Sequence, residues 1–188
     1  MHNLPTWLAK YTASLSKENL HHAYLFYGRE GLGKKDLLTY VSNTILCEST
    51  NLVSCGNCKN CKLILSNTHP DLHVILREEG KKNISISQII NLREKIYESA
   101  FLGSNKIISI PNIESMSRDA SDAILKILEE PPKDTFFIMS SNFIHQIPST
   151  IRSRSIEIEV TAPSFNECHE WLSDCLLYTS PSPRDVLR

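Results

Sequence analysis

Ala23-Tyr-Leu-Phe-Tyr-Gly-Arg-Glu-Gly-Leu-Gly-Lys-Lys35 is the stretch whose reading decides the rest. Its first part, Ala23 to Tyr27, is a continuous apolar and aromatic run, the pattern of a strand buried on both faces. Gly28, Gly31 and Gly33 then form a turn with little steric restriction. Lys34 follows, and the apolar spacing Leu37, Leu38, Val41 and Ile45 predicts a helix reaching about Leu46. Strand, glycine loop, lysine and helix make a phosphate cradle. Backbone N–H groups of such a loop point inward, the helix start adds positive partial charge, and the lysine adds a full one. One position departs from the pattern. The residue after the lysine should carry a hydroxyl for Mg²⁺, and here it is Lys35, which repels a divalent cation. Gly28, Gly31, Gly33 and Lys34 are therefore the candidate nucleotide-binding residues of a loop that lacks part of its chemistry. ATP binding stays an open question at this point.

Working outward, apolar and polar periods alternate along the chain. Leu72 to Leu76, Lys106 to Ile110, Thr135 to Met139 and Ile156 to Val160 read as strands. Between them, Ser85 and Gln88 form a capping box ahead of an amphipathic helix over about 87–100. Ala120, Ala123, Ile124, Ile127 and Leu128 mark another helix, which Pro131 and Pro132 end. Residues 4–20 suggest a helix around Trp7, Leu8, Tyr11 and Leu15, and Ile151 to Ser155 read as a polar link. Strands alternating with helices imply an α/β fold, a mostly parallel sheet with helices on both faces.

The 188 residues, 41% of them apolar, suffice for a core. Twenty basic against 21 acidic residues give a net charge of −1, which argues against tight non-specific DNA binding by the chain alone. No run of about 18 apolar residues is present, so no membrane partner is expected. The N-terminus lacks a charged-then-apolar leader layout, so a cytoplasmic location is the expectation. In that compartment cysteines suggest metal or free thiols before disulfides. Cys47, Cys55, Cys58 and Cys61 fall within fifteen positions. Four thiolates so spaced suit a closed tetrahedral Zn²⁺ site, structural because no position stays open for water. A small zinc-binding insert over 47–61 is expected.

Several motifs then fall in order: His21-His-Ala-Tyr-Leu-Phe26 before the loop, the four cysteines, and His69-Pro-Asp71. Ala123-Ile-Leu-Lys-Ile-Leu-Glu-Glu-Pro-Pro132 and Ile151-Arg-Ser-Arg154 complete the set. Together, over about residues 4–172, they resemble the AAA+ clamp-loader subunits of bacterial DNA polymerase III. The resemblance implies a P-loop AAA+ fold over 1–162. It also implies the start of a helical lid at 163–175, cut short. The serine–proline alternation after Leu176 is turn or disorder composition, so a non-native or disordered tail is expected at 176–188. An active motor of this family carries an Asp-Glu pair after the central strand, where this chain has Asn112 and Ile113, with Glu114 one place late. The resemblance is thus to the family's stationary member, which does not use ATP itself. Its Ser-Arg-Cys motif matches Ser153-Arg154-Ser155, which makes Arg154 a candidate arginine finger for a neighbouring subunit's ATP, with Arg152 the second choice. Implied partners are the gamma/tau and delta subunits and, through the complex, a sliding clamp and primed DNA. Two alternatives stay open: an active gamma/tau-like ATPase, and a zinc-stabilised interaction or nucleic-acid module with a vestigial phosphate loop.

Overall fold

The computed structural model describes residues 4–12, 15, 20–49, 54–103 and 105–177. In chain order the elements are α1 (Thr6–Ala9), β1 (Ala23–Tyr27), α2 (Lys34–Leu46), α3 (Lys59–Leu65) and β2 (Leu72–Val74). Then come α4 (Ile86–Tyr97), β3 (Lys106–Ile110), α5 (Arg118–Glu129), β4 (Thr135–Ser141), α6 (Ser149–Arg152), β5 (Ile156–Glu159) and α7 (Phe165–Leu177). A 3₁₀ turn, Ile113–Ser115, follows β3.

The five strands form one sheet in the order β2-β3-β4-β1-β5, and every pairing is parallel. Side chains alternate across it, because successive residues of a strand point to opposite faces. Ala23, Leu25, Ile108, Ile110, Phe137 and Met139 pack with Ile89, Leu92 and Ile96 of α4 and with Ile124, Ile127 and Leu128 of α5. Tyr24, Phe26, Ile107 and Ile138 pack with Leu37, Leu38, Val41 and Ile45 of α2, and with Leu8 and Ile64. Helices thus cover both faces, as the pattern implied. Each fully buried large side chain stabilises the fold by about 1.5–3 kcal/mol.

The helix ends have identifiable causes. Ser85 N–H donates to Gln88 Oε1 at 3.0 Å, and the full capping box opens α4. Its far end is closed by Lys106, 4% exposed, whose Nζ donates to the carbonyls of Lys95 (2.9 Å), Ile96 (3.2 Å) and Glu98. A buried ammonium is tolerated there because the last carbonyls of a helix lack backbone partners and carry negative partial charge.

Two local readings need correction. The predicted N-terminal helix is one turn, α1, within the described residues; Thr12 Oγ1 donates to Ala9 O at 2.7 Å and diverts the backbone into turns. The stretch 151–155 is not simply a polar link. It begins in the helical turn α6, whose N–H groups of Ile151 and Arg152 reach Pro148 O at 3.0 and 3.2 Å. Ile151, 1% exposed, anchors that turn in the core. The last described helix, α7, runs Phe165–Leu177, and Trp171 meets Trp7 edge-on with ring centroids 5.3 Å apart. Of the expected tail at 176–188, residues 178–188 lie outside the described residues.

Candidate functional site

β1 delivers the glycine loop to the carboxyl end of the sheet. Gly28 N–H donates to Ser141 O of β4 at 3.2 Å, and Val160 N–H, just past β5, donates to Tyr27 O at 2.7 Å, so the junction between β1 and the loop is held from both sides. A Cβ on Gly28 would lie 2.2 Å from Val160 O. That carbonyl is backbone and cannot step aside. Gly33 (φ 77°) is the left-handed N-cap of α2, a conformation that disfavours any Cβ. Gly31 (φ 84°) meets open space. Gly28→Ala is therefore expected to cost about 3–4 kcal/mol and Gly31→Ala only about 1–2 kcal/mol, read as shifts in the denaturant midpoint.

Lys34 is 6% exposed. Its Nζ turns back on the loop and donates to Gly28 O at 2.8 Å and Arg29 O at 2.6 Å. Burial holds its pKa below the ordinary lysine value, against the pull of Glu114 and Glu30. Lys35 is exposed on the next position of the helix.

Beyond β3 the chain turns sharply. Asn112 adopts a left-handed conformation (φ 58°), which asparagine tolerates, and opens the 3₁₀ turn. The turn swings Glu114 back toward the sheet. Its Oε1 accepts Asn142 N–H at 3.0 Å, and Asn142 Nδ2 donates to Asn112 Oδ1 at 3.3 Å. The other oxygen, Oε2, is buried without a hydrogen-bond partner among the described residues. So Glu114, one residue late by sequence, still brings its charge to bear on Lys34, and Asn142 at the end of β4 joins the group.

The four cysteines converge. Cys47 caps the end of α2, Cys55 sits in the following loop, Cys58 is the N-cap of α3, and Cys61 lies in its first turn. All four Sγ atoms lie within 4.8 Å of one another, with Cys47–Cys58 and Cys55–Cys61 both at 4.0 Å. A tetrahedron of sulfurs around Zn²⁺ has edges of about 3.8 Å, from Zn–S bonds of about 2.3 Å. Backbone N–H groups of Cys55, Cys58 and Cys61 donate to Sγ of Cys47, Cys55 and Cys58 at 3.3, 3.3 and 3.4 Å. Amide donors of this kind favour thiolate. The amides of Asn57 and Cys58 lower the Cys55 pKa to about 6, while burial and the Cys58 sulfur raise Cys61 to about 12. For Cys58, burial opposes ionisation, but the amides of Glu48 and Cys61 win and its pKa is lowered. The cluster fits a metal ion. Asn60, 5% exposed, ties the insert to α2 by donating to Leu46 O at 2.9 Å.

Arg152, the last residue of α6, and Arg154, just beyond it, are both paired. Arg152 forks onto Glu157, Nε to Oε1 at 2.9 Å and Nη2 to Oε2 at 3.1 Å. Arg154 donates from Nη2 to Glu129 Oε1 at 2.7 Å and from Nη1 to Thr150 O at 2.8 Å. The structure therefore separates the candidate residues into three groups: the loop with Lys34, the cysteines, and Arg154 near the end of α5.

Residues 4–164 match the protein family described as DNA polymerase III, delta subunit. The chain belongs to that family. It is 36% identical over 162 residues to the DNA polymerase III subunit delta' of Buchnera aphidicola subsp. Schizaphis graminum, covering 84% of this chain and 48% of that protein. Against the delta' subunit of Escherichia coli K12 it is 32% identical over 165 residues, covering 87% and 49%. The chain thus spans about half the length of the curated relatives it matches. Among solved structures, the gamma subunit-related protein of Thermotoga maritima superposes with TM-score 0.62 at 19% identity, covering 84% of this chain and 47% of that one. The Thermotoga maritima RuvB Holliday junction branch migration motor superposes with TM-score 0.57 at 14% identity, covering 90% and 50%. At such identities the likeness is one of fold, and the fold is that of AAA+ proteins.

In this delta-family chain the His69-Pro-Asp71 motif has a structural explanation. Asp71, 3% exposed, accepts N–H bonds from Phe101 at 2.6 Å and Leu102 at 2.8 Å, which pins the loop ahead of β3. His69 Nδ1 accepts Asp71 N–H at 3.1 Å, so the ring's proton sits on Nε2. Ser117 N-caps α5 by accepting Ala120 N–H at 3.2 Å, and Arg118, Lys126 and Glu130 are exposed on it or just past it. His21 and His22 are half-buried loop residues stacked with centroids 4.2 Å apart.

The histidines make stability depend on pH. Burial holds His22, His69 and His73 below the ordinary value of 6.5; His21 adds to this at His22, and Lys95 and Lys106 at His73. With folded values depressed, the unfolded chain binds more protons as the medium acidifies. Their contribution is complete above 6.5 and lost as pH falls through the folded values. The thermal midpoint is expected to decline between about pH 7 and pH 5, and His69→Asn to make that decline shallower.

Proposed function

We propose that this chain is the AAA+ part of a delta-prime subunit, the stationary arm of a DNA polymerase III clamp loader. In that role it helps place a sliding clamp on primed DNA without hydrolysing ATP in its own loop. It lends Arg154 to the ATP site of a neighbouring gamma/tau motor subunit, with the delta subunit completing the ring. The observation that carries the reading is a contrast between two cations. Lys34 is buried and spends its protons on its own loop, beside a position where Lys35 replaces the Mg²⁺-binding hydroxyl. Arg154 is surface-placed, and its guanidinium suits phosphate oxygens. The changes at Asn112 and Ile113 support the same reading, since they remove the usual Mg²⁺ and water-polarising groups.

Zn²⁺ is the metal we assign to Cys47, Cys55, Cys58 and Cys61, as a structural ion holding an insert that lacks a core of its own. A lid would start at residue 163, with α7 as its first helix. The working location would be the cytoplasm; among the described residues no helix is long and apolar enough to cross a membrane.

The test is reconstitution. The full-length chain should co-purify with gamma/tau and delta subunits, the complex should turn over ATP, and the chain alone should not. Magnesium-dependent turnover by the pure chain would overturn the reading.

A further inference from the structure

We propose that Glu129 is the positioning residue of Arg154, setting the guanidinium before a neighbouring triphosphate arrives. The inference rests on the finger reading above. Two elements hold the guanidinium at once. Glu129, the last residue of α5, accepts Nη2–H at 2.7 Å, and Thr150 O of α6 accepts Nη1–H at 2.8 Å. Pro131 and Pro132 stop α5 just beyond, so the carboxylate sits on a helix end whose place is fixed by Ile127 and Leu128 in the core.

Three features argue against a merely structural pair. Its side chains are 33% and 50% exposed, and an exposed pair stabilises a fold little. It bridges residues 25 apart, whereas Arg152 forks onto Glu157 only five residues away with two of its donors spent. Arg154 keeps its Nε–H and one Nη2–H without partners among the described residues, so one edge of the fork stays open to phosphate oxygens. A carboxylate on one edge and a free second edge orient a guanidinium without consuming it. Orientation of that kind raises the rate of the chemical step, because the ordering is complete before the transition state is reached.

The experiment uses the full-length chain reconstituted with gamma/tau and delta subunits, clamp and primed DNA. ATP turnover is measured for wild type, E129A, E129Q, R154A and E129A/R154A. E129A is expected to lower kcat about 3- to 10-fold, with KM for ATP nearly unchanged. E129Q, whose amide oxygen still accepts one hydrogen bond, should recover part of the loss. In the R154A background E129A should change nothing further, since its effect runs through the arginine. Thermal midpoints of E129A and E129Q should match wild type. A wild-type or raised kcat in E129A, with R154A impaired, would overturn the positioning role alone. So would an equal loss from E129A in both backgrounds. Wild-type turnover in R154A would remove the finger and, with it, any role for Glu129.

Discussion

Arg154→Ala in the reconstituted loader is expected to cut ATP turnover by roughly 10³-fold, the lower end of what an arginine finger supplies. Charge accumulates on the γ-phosphate as the terminal bond loosens, and a forked guanidinium stabilises it more than a point charge can. Arg154→Lys should therefore recover little. The fold should barely respond. Arg154 lies at the surface, its ion pair with Glu129 is solvent-exposed, and its loss should change stability by no more than about 0.5 kcal/mol. Rate and stability thus separate cleanly. Turnover measured on the complex, beside a melting curve of the variant chain, checks both. Unchanged turnover would sink the assignment. An equivalent loss from Arg152→Ala would shift the role to the second arginine, although that side chain is committed to Glu157 on two edges.

Cys58→Ser is expected to have the largest effect on the architecture. Metal analysis should find one zinc per wild-type chain and far less in the variant. Cys58 is at once a metal-ligand candidate and the N-cap of α3, its sulfur accepting Cys61 N–H at 3.4 Å. Serine can keep the cap but is a poor zinc ligand, so the loss would report on the metal. Zinc contributes on the order of 10 kcal/mol to the folding of short zinc-finger peptides. This insert is attached to α2 through Asn60 and buries Ile64, so part of its stability is independent of metal. Chelation should therefore loosen residues 47–66 while the sheet stays intact. Amide exchange resolved along the chain would show fast exchange there and protection in β1, β3 and β4. Full protection of the insert after metal removal would refute the structural role.

What was legible in the sequence was local. The apolar run of β1, the glycine spacing, the α4 capping box and the cysteine steps each lie within a few turns of chain, and the structure brings each together as read. What was not legible depends on distant partners. Glu114 meets Asn142 across 28 residues, and Asp71 meets Phe101 and Leu102 across 30 and 31. No periodicity encodes such a pairing. The α6 turn was missed because a single turn with one buried isoleucine has no measurable period. Sequence reasoning gave Glu129 no role, because only the fold places the end of α5 beside Thr150 and Arg154.

The sheet order has a consequence for biosynthesis. β1 emerges early, yet its two hydrogen-bonding neighbours are β4 and β5, which begin at Thr135 and Ile156. At typical translation rates of about 5–20 residues per second, the nascent Ala23–Tyr27 segment waits on the order of ten seconds for its first neighbour. During that interval a strongly apolar peptide stands outside the ribosome with both edges bare. Chaperone capture should concentrate on that segment and end soon after β4 has left the exit tunnel.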